Sequence, residues 1–100
     1  MTLKLKDPSL LKTQSYIDGQ WVDADGGETV AVTNPATGET IAAVAKCGTS
    51  ETRRMIKAAE AAQKSWAKTT VKERAALLRS WFNLIMQHQE DLAQILTAEQ

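Results

Sequence analysis

The chain has 100 residues, the length of one small domain, and its 12 basic and 12 acidic residues give a formal net charge of zero. This balance argues against a polyanionic partner such as nucleic acid, and no apolar run approaches the roughly 18 residues that cross a bilayer. The amino terminus lacks the apolar segment of a secretion signal and the chain holds one cysteine, so we expect a cytoplasmic protein with no membrane partner and no internal disulfide bond.

The apolar residues are mostly small. They make up 43% of the chain, but Ala alone accounts for 15 residues, and Leu, Ile, Val and Phe together account for 20. Burial is worth about 25 cal/mol per Å² of apolar area, so each alanine contributes little unless the backbone lies close to a broad partner surface. We therefore expect this chain to pack against a larger body.

Residues 1–14 are predicted to form an amino-terminal arm. Asp7 is typical of a helix N-cap and Pro8 of the first helical position, so the arm is expected to contain one short helical turn.

A β-hairpin is predicted over residues 15–22. Asp18 and Gly19 form a two-residue type I′ turn signal between β-prone flanks. This turn would place Tyr16 opposite Trp21, and the aromatic pair would supply the main contact between the two strands.

Two further strands are predicted at residues 29–33 and 40–45, which are separated from the hairpin by a loop. Strict alternation would place Ile41 and Val44 on opposite faces of the second strand. Either both faces of this strand are covered or a β-bulge intervenes.

The connection between these strands has the chemistry of a type I turn. Asn34 suits the first position, Pro35 presets the backbone at the second, and Gly38 is free to adopt a positive φ. We interpret the loop as a chain reversal and not as a binding loop.

A first helix is predicted to begin at Thr49 or Ser50, with Glu51 in its first turn, where the helix dipole favours a negative charge. Its basic residues are interpreted as a solvated face. Its apolar positions follow helical spacing and are predicted to form core packing and not a site. These positions are Met55, Ile56, Ala59, Ala62 and Trp66. The basic cluster is Arg53, Arg54 and Lys57.

A second helix is predicted from the capping-box pair Thr70 and Glu73. The apolar stripe continues in one phase to the end of the chain, so the pattern allows one helix of roughly 30 residues or two helices broken near His88 and Gln89. The stripe consists of Leu77, Leu78, Trp81, Phe82, Ile85, Leu92, Ile95 and Leu96.

Three titratable residues of this region could suggest catalysis. His88 has no partner pattern for general-base work, so we interpret it as a surface histidine near a helix junction. Glu90 and Asp91 are adjacent and diverge by roughly 100° on a helix, so they are better explained as first-turn acids of a new helix than as an acid pair.

The last turn, "TAEQ", has no glycine, proline, lysine or arginine to end the helix, and Glu99 lies at the negative end of the dipole. Together with the alanine-rich faces, this pattern makes us expect the opening piece of a longer protein.

Four segments together resemble the amino-terminal fifth of the NAD(P)-dependent aldehyde dehydrogenase family. They are "YIDGQWVDA", "VTNPATGETIAAV", "AAEAAQKSWAKTTVKERAALLRSWFNLI" and "EDLAQILTAEQ", of which the Asn-Pro-Ala-Thr-Gly-Glu turn is the most specific. Within the family the chain is most similar to succinate-semialdehyde dehydrogenases. The resemblance implies an α/β fold in which a hairpin and strands precede two or three helices. It also implies that residues 15–100 are the incomplete first portion of a Rossmann-type cofactor-binding domain.

The resemblance also implies a function for the whole protein. It would oxidise succinate semialdehyde or a related aldehyde, with NAD or NADP bound by the remainder of the chain, and would form a tetramer or dimer. In the family a cysteine thiolate attacks the aldehyde and hydride passes to the nicotinamide. The motifs for those groups lie beyond residue 100, so the 100 residues alone are expected to be inactive. A self-contained α+β interaction module is the alternative.

Cys47 matches none of the family's catalytic motifs and is interpreted as a bystander. Some relatives hold a monovalent cation between backbone carbonyls before the Asn-Pro turn and an acid late in this helical region, which would correspond to Val32, Thr33 and Glu99. No catalytic, cofactor-binding or metal-binding residue is assigned.

Overall fold

The computed structural model describes residues 3–100, so the first two residues of the predicted arm lie outside the described part. A 3₁₀ helix in the arm is followed by four strands and then by three α-helices, which confirms the predicted α/β order. The 3₁₀ helix is Pro8–Leu10. The strands are β1 (Ser15–Ile17), β2 (Gln20–Val22), β3 (Thr29–Thr33) and β4 (Thr40–Ala45), and the helices are α1 (Thr49–Trp66), α2 (Val71–Gln87) and α3 (Gln89–Glu99).

The arm contains the predicted helical turn. The Asp7 carboxylate caps it by accepting from the Ser9 amide at 3.1 Å, as an N-cap residue does. Further along, the Ala45 amide donates to the Thr13 carbonyl at 2.8 Å, so the arm is also tied to the end of β4.

The β1–β2 hairpin has the predicted register, with Tyr16 opposite Trp21. Asp18 and Gly19 adopt φ values of 50° and 77°, the two positive values that a type I′ turn requires. The rings of Tyr16 and Trp21 meet edge to face with centroids 5.0 Å apart, and the Lys12 ammonium lies 5.0 Å from the centre of the Trp21 ring. Local sequence therefore accounts for the hairpin.

Strands β3 and β4 pair in antiparallel fashion and contain a β-bulge. Val32 pairs with Ala42 and Thr33 pairs with Thr40, so Ile41 is the extra residue. The bulge alternative for this strand is confirmed. In the connecting turn, Asn34 Oδ1 accepts from the Ala36 amide at 2.9 Å, and Gly38 adopts the expected positive φ of 77°.

The helical region is divided into three. Helix α1 begins at Thr49, the first of the two predicted positions, with Gly48 as its N-cap. At the start of α2, the Thr70 hydroxyl accepts from the Glu73 amide and the Glu73 carboxylate accepts from the Thr70 amide, each at 3.1 Å, which confirms the capping box. His88, with φ −105° and ψ 17°, breaks the helix between α2 and α3. The two-helix alternative is therefore the observed one.

The apolar stripes of α1 and α2 are exposed within residues 3–100, so the core packing predicted for the α1 stripe is not formed by these residues alone. Met55 and Trp66 of α1 are 42% and 41% exposed, and Leu78 and Trp81 of α2 are 60% and 63% exposed. The reason is geometric: the helices contact the strands and each other only at narrow points. The radius of gyration is 16.6 Å, against about 13 Å for a compact chain of this length.

The few apolar residues that are buried are small or lie near the arm and hairpin. They are Ile17, Ala24 and Ala98. None of the helices in residues 3–100 is both long enough and apolar enough to span a membrane.

Candidate functional site

The first turn of α1 contains a buried acid, Glu51, which is 4% exposed. One carboxylate oxygen accepts from the Asp25 amide at 3.0 Å. The other accepts from the Gly48 amide at 3.2 Å and from the Ser50 hydroxyl at 2.7 Å. Because glycine has no side chain with which to cap the helix, Glu51 supplies the acceptor at this end. It thereby joins the loop at residues 23–27 to the start of α1.

Hydrogen bonds to its charged form lower the pKa of Glu51 from 4.5 to about 2, the Asp25 amide being the largest cause and the Ser50 hydroxyl the next. Asp25 itself is held by Arg54, whose two terminal nitrogens donate to its two oxygens at 2.7 and 2.9 Å. This hydrogen bonding from Arg54 lowers the pKa of Asp25. The pair is about half exposed, so it orients the loop and contributes little stability.

These contacts make the stability of this region depend on pH through Glu51. A lowered pKa means that the charged form of Glu51 is favoured in the folded state. The contribution of Glu51 to the free energy of unfolding is therefore complete above pH 4.5 and is lost as the pH falls towards about 2. In the complete protein, Glu51→Gln is expected to lower the thermal midpoint by several degrees at neutral pH, and the gap from the unsubstituted protein should narrow over that acidic range. Glu60→Gln, an exposed position of the same helix, is the control. A gap that stays constant with pH would contradict the assignment.

The first turn of α3 contains the second buried acid, Asp91, which is 3% exposed. Its two oxygens accept from the consecutive backbone amides of Lys6 and Asp7, each at 2.9 Å. The predicted position of Asp91 among first-turn acids is confirmed, but its role as a clamp on the arm was not predicted. His88 lies at the predicted helix junction and is half-buried. It lines a cleft of about 230 Å³ with Asp91 and four other residues.

Cys47 lies in the link between β4 and α1 and is half-buried. Its Sγ is 3.3 Å from the hydroxyl of Ser15, a group that neither removes the thiol proton nor stabilises a thiolate by positive charge. Its interpretation as a bystander stays a prediction.

Residues 3–100 contain no group of three or more His, Cys, Asp or Glu side chains arranged to hold a metal ion. Val32 and Thr33 are the last two residues of β3 and Glu99 is the last residue of α3. The correspondence of these residues to the cation site of some relatives rests on the resemblance alone, and no metal-binding residue is assigned.

Most of the chain matches one known protein family. The profile of the aldehyde dehydrogenase family matches residues 21–100. The chain belongs to this family. The match begins at Trp21 within β2 and continues through α3, and the arm, β1 and Gln20 precede it.

Several relatives within the aldehyde dehydrogenase family are similar over nearly the whole chain. A 3-sulfolactaldehyde dehydrogenase and a glutarate-semialdehyde dehydrogenase of Pseudomonas putida are 57% and 54% identical over 98% of this chain. An NADP(+) succinate-semialdehyde dehydrogenase of Escherichia coli is 50% identical over the same share. The chain spans 20% of the length of each of these relatives. The resemblance to the aldehyde dehydrogenase family, and to succinate-semialdehyde dehydrogenases within it, is thereby confirmed.

Solved structures of the aldehyde dehydrogenase family contain the same fold. A succinate-semialdehyde dehydrogenase from Burkholderia pseudomallei gives a TM-score of 0.93 at 53% identity, over 96% of this chain and 20% of that one. An aldehyde dehydrogenase from Brucella melitensis gives a TM-score of 0.96 at 46% identity, and the match covers 99% of this chain and 20% of that one. The α/β fold of residues 3–100 is therefore the fold that this segment has within longer family members.

Residues 3–100 do not fit a nicotinamide cofactor. A pyrophosphate binds to free amides at the start of a helix, but each of the three α-helices carries an acid in its first turn. These acids are Glu51 in α1, Glu73 in α2, and Glu90 and Asp91 in α3. Their negative charge would repel a phosphate, and Glu51 and Glu73 already bond the amides at their helix starts.

Proposed function

We propose that the complete protein oxidises an aldehyde with an anionic group at its far end to the corresponding carboxylic acid, using NAD or NADP. The family match over residues 21–100 carries this proposal. The names of similar relatives supply the substrate class, because succinate semialdehyde, glutarate semialdehyde and 3-sulfolactaldehyde each combine an aldehyde with a carboxylate or sulfonate. Succinate semialdehyde is one member of this class.

We propose further that residues 1–100 are a structural segment. Residues 1–14 act as an arm, and residues 15–100 are the first portion of the cofactor-binding domain. Two buried carboxylates support this role, since Glu51 and Asp91 bond backbone amides 26 and 84–85 residues away in the sequence. Carboxylates that bond the backbone of distant segments hold those segments together, which is a structural role. The remaining chain would supply the nucleophile and the cofactor site, and the assembled protein would be a dimer or tetramer.

The proposal is tested by assaying the complete protein for reduced nicotinamide with succinate semialdehyde, glutarate semialdehyde and 3-sulfolactaldehyde. Butanal and pentanal are the neutral controls. A charge-assisted contact to the anionic group is worth about 1.5–3 kcal/mol. We therefore expect kcat/KM to be at least roughly tenfold higher for the anionic aldehydes. Equal values for the neutral aldehydes would contradict the substrate class, and no reaction with any aldehyde would contradict the activity.

The isolated segment of residues 1–100 should form no reduced nicotinamide with the same substrates. Activity in that segment would show that its own residues catalyse the reaction, and the scaffold role would be wrong.

A further inference from the structure

The chain has one histidine, His88, and it lies where the arm meets the helices. It separates α2 from α3 and lines the cleft of about 230 Å³ between the arm and the helix junction. Imidazole is the side chain that ordinarily gains a positive charge between pH 8 and pH 5. The charge of this cleft therefore changes with pH within the physiological range. The other residues that line the cleft are Lys6, Asp7, Gln87, Glu90 and Asp91.

The cleft has an excess of negative charge while His88 is neutral. Three of its lining residues are carboxylates and one, Lys6, is a cation. Asp91 is 3% exposed and Asp7 is half-buried, so water screens the repulsion between these two acids less than it would at an open surface. Lys6 and Glu90 are exposed, and their charges are screened more. A positive charge on His88 offsets the excess.

The imidazole acts across the cleft on an acid of the arm. The pKa of Asp7 is lowered, mainly by hydrogen bonds from the hydroxyl and the amide of Ser9, and the positive charge of His88 lowers it further. The Asp7 carboxylate therefore stays ionised over the range in which an imidazole titrates. Within residues 3–100, His88 has no hydrogen-bond or ion-pair partner that would fix it in one protonation state.

The other charges around His88 do not reproduce this effect. His88 ends α2, where the helix dipole favours a cation, and precedes α3, where the dipole disfavours one, so these two contributions have opposite signs. Lys12 also acts on Asp7, but it belongs to the arm and attracts this acid whether the arm is attached or released. The attraction that depends on both pH and attachment is the one between His88 and Asp7.

We propose that His88 makes the attachment of the arm dependent on pH. In its charged form the imidazole attracts the Asp7 carboxylate to the helix junction, and this attraction supports the two bonds from the arm amides to Asp91. When the imidazole loses its proton, the attraction is lost and the acids of the cleft repel one another. The arm then opens more often as the pH rises from 5 to 8.

The consequence extends to the sheet, because the arm also reaches the end of β4. There the Ala45 amide donates to the Thr13 carbonyl at 2.8 Å. A change at His88 therefore acts on a segment that joins the helix junction to the β4 strand. The proposal does not depend on the activity proposed above, and a complete protein that oxidised no aldehyde would leave it unchanged.

Hydrogen exchange of the Lys6 amide in the complete protein, compared between about pH 5.5 and about pH 8.5, tests the proposal. This amide donates to Asp91, so its exchange requires the arm to open. The comparison with His88→Gln at each pH cancels the chemical dependence of exchange on pH, because the residues next to Lys6 are the same. An attraction between partly exposed charges is modest. We expect the unsubstituted protein to exchange roughly two- to fivefold more slowly at the lower pH and at an equal rate at the higher one.

Asp7→Asn gives a second test that leaves His88 in place. Asparagine also caps a helix start but has no charge for the imidazole to attract. The protection of Lys6 in the unsubstituted protein, relative to Asp7→Asn, should therefore be roughly two- to fivefold greater at the lower pH than at the higher one. This comparison decides the proposal should His88→Gln fail to fold.

Three results would overturn the proposal. A difference between the unsubstituted protein and His88→Gln that is the same at every pH would give His88 a packing role only. Equal exchange in the two proteins at the lower pH would show that the charge of the imidazole does not act on the arm. Stronger protection at the higher pH would show that the charge of His88 releases the arm instead of holding it.

Discussion

Residues 1–100 produced alone are expected to unfold in urea without a sharp cooperative transition. Cooperative unfolding requires a core that is lost as a unit, and the residues described here contain no side chain that is fully buried. Trp81 and Leu78 of α2 remain about 60% exposed, so little apolar area leaves water when the chain folds. The two hairpins and the capped helices would then form and melt locally.

Circular dichroism during urea titration measures this directly. We expect a urea m-value below the roughly 1 kcal/mol per M at the lower end for small proteins, together with binding of a dye that reports exposed apolar surface. The complete protein, treated in the same way, is the control and should exclude the dye. A steep transition with no dye binding would show that the isolated segment has a sufficient core of its own.

The elements that sequence analysis predicted well are those with local causes. The β1–β2 turn follows from Asp18 and Gly19, which tolerate positive φ. The start of α2 follows from Thr70 and Glu73, three residues apart. In each case the residues that determine the structure lie within four positions of one another. Residues that are close in the sequence are then also the residues in contact, so the sequence pattern predicts the contact directly.

The contacts that sequence analysis missed join distant residues. Arg54 lies on an exposed face of α1, as its spacing predicts, but its pairing with Asp25, 29 residues earlier, is not predicted. Asp91 was predicted only as a first-turn acid, although it binds amides about 85 residues away. Local pattern contains no information about such partners. The signal in the sequence for the burial of Asp91 is its place in the first turn of a helix with an apolar stripe. An exposed acid that interacts favourably with the helix dipole occupies the same place, so the signal does not separate the two cases.

The apolar stripes illustrate a different limit. Helical periodicity correctly identified which residues of α2 form the apolar face, but it does not say which surface covers that face. Periodicity shows that a side chain favours burial, and burial also requires a covering surface. For Leu78 and Trp81 no such surface lies within residues 3–100.

Replacing Asp91 is expected to release the amino-terminal arm. Its carboxylate is the acceptor for two consecutive amides, Lys6 and Asp7. In Asp91→Asn one oxygen can still accept, but the new NH₂ group would face the second amide, donor against donor. A buried amide without an acceptor costs roughly 1–3 kcal/mol, so hydrogen exchange of the Lys6 and Asp7 amides in the complete protein should accelerate roughly 10- to 100-fold.

Glu90→Gln is the matched control for this substitution. Glu90 and Asp91 both lie in the first turn of α3, so each change removes one negative charge from the same helix end. Glu90 is exposed and Asp91 is buried, and the hydrogen bonds to the arm end on Asp91. Exchange in the arm should therefore stay unchanged in Glu90→Gln and rise in Asp91→Asn. An equal effect of both substitutions would mean that the helix dipole, and not the pair of hydrogen bonds, holds the arm against α3.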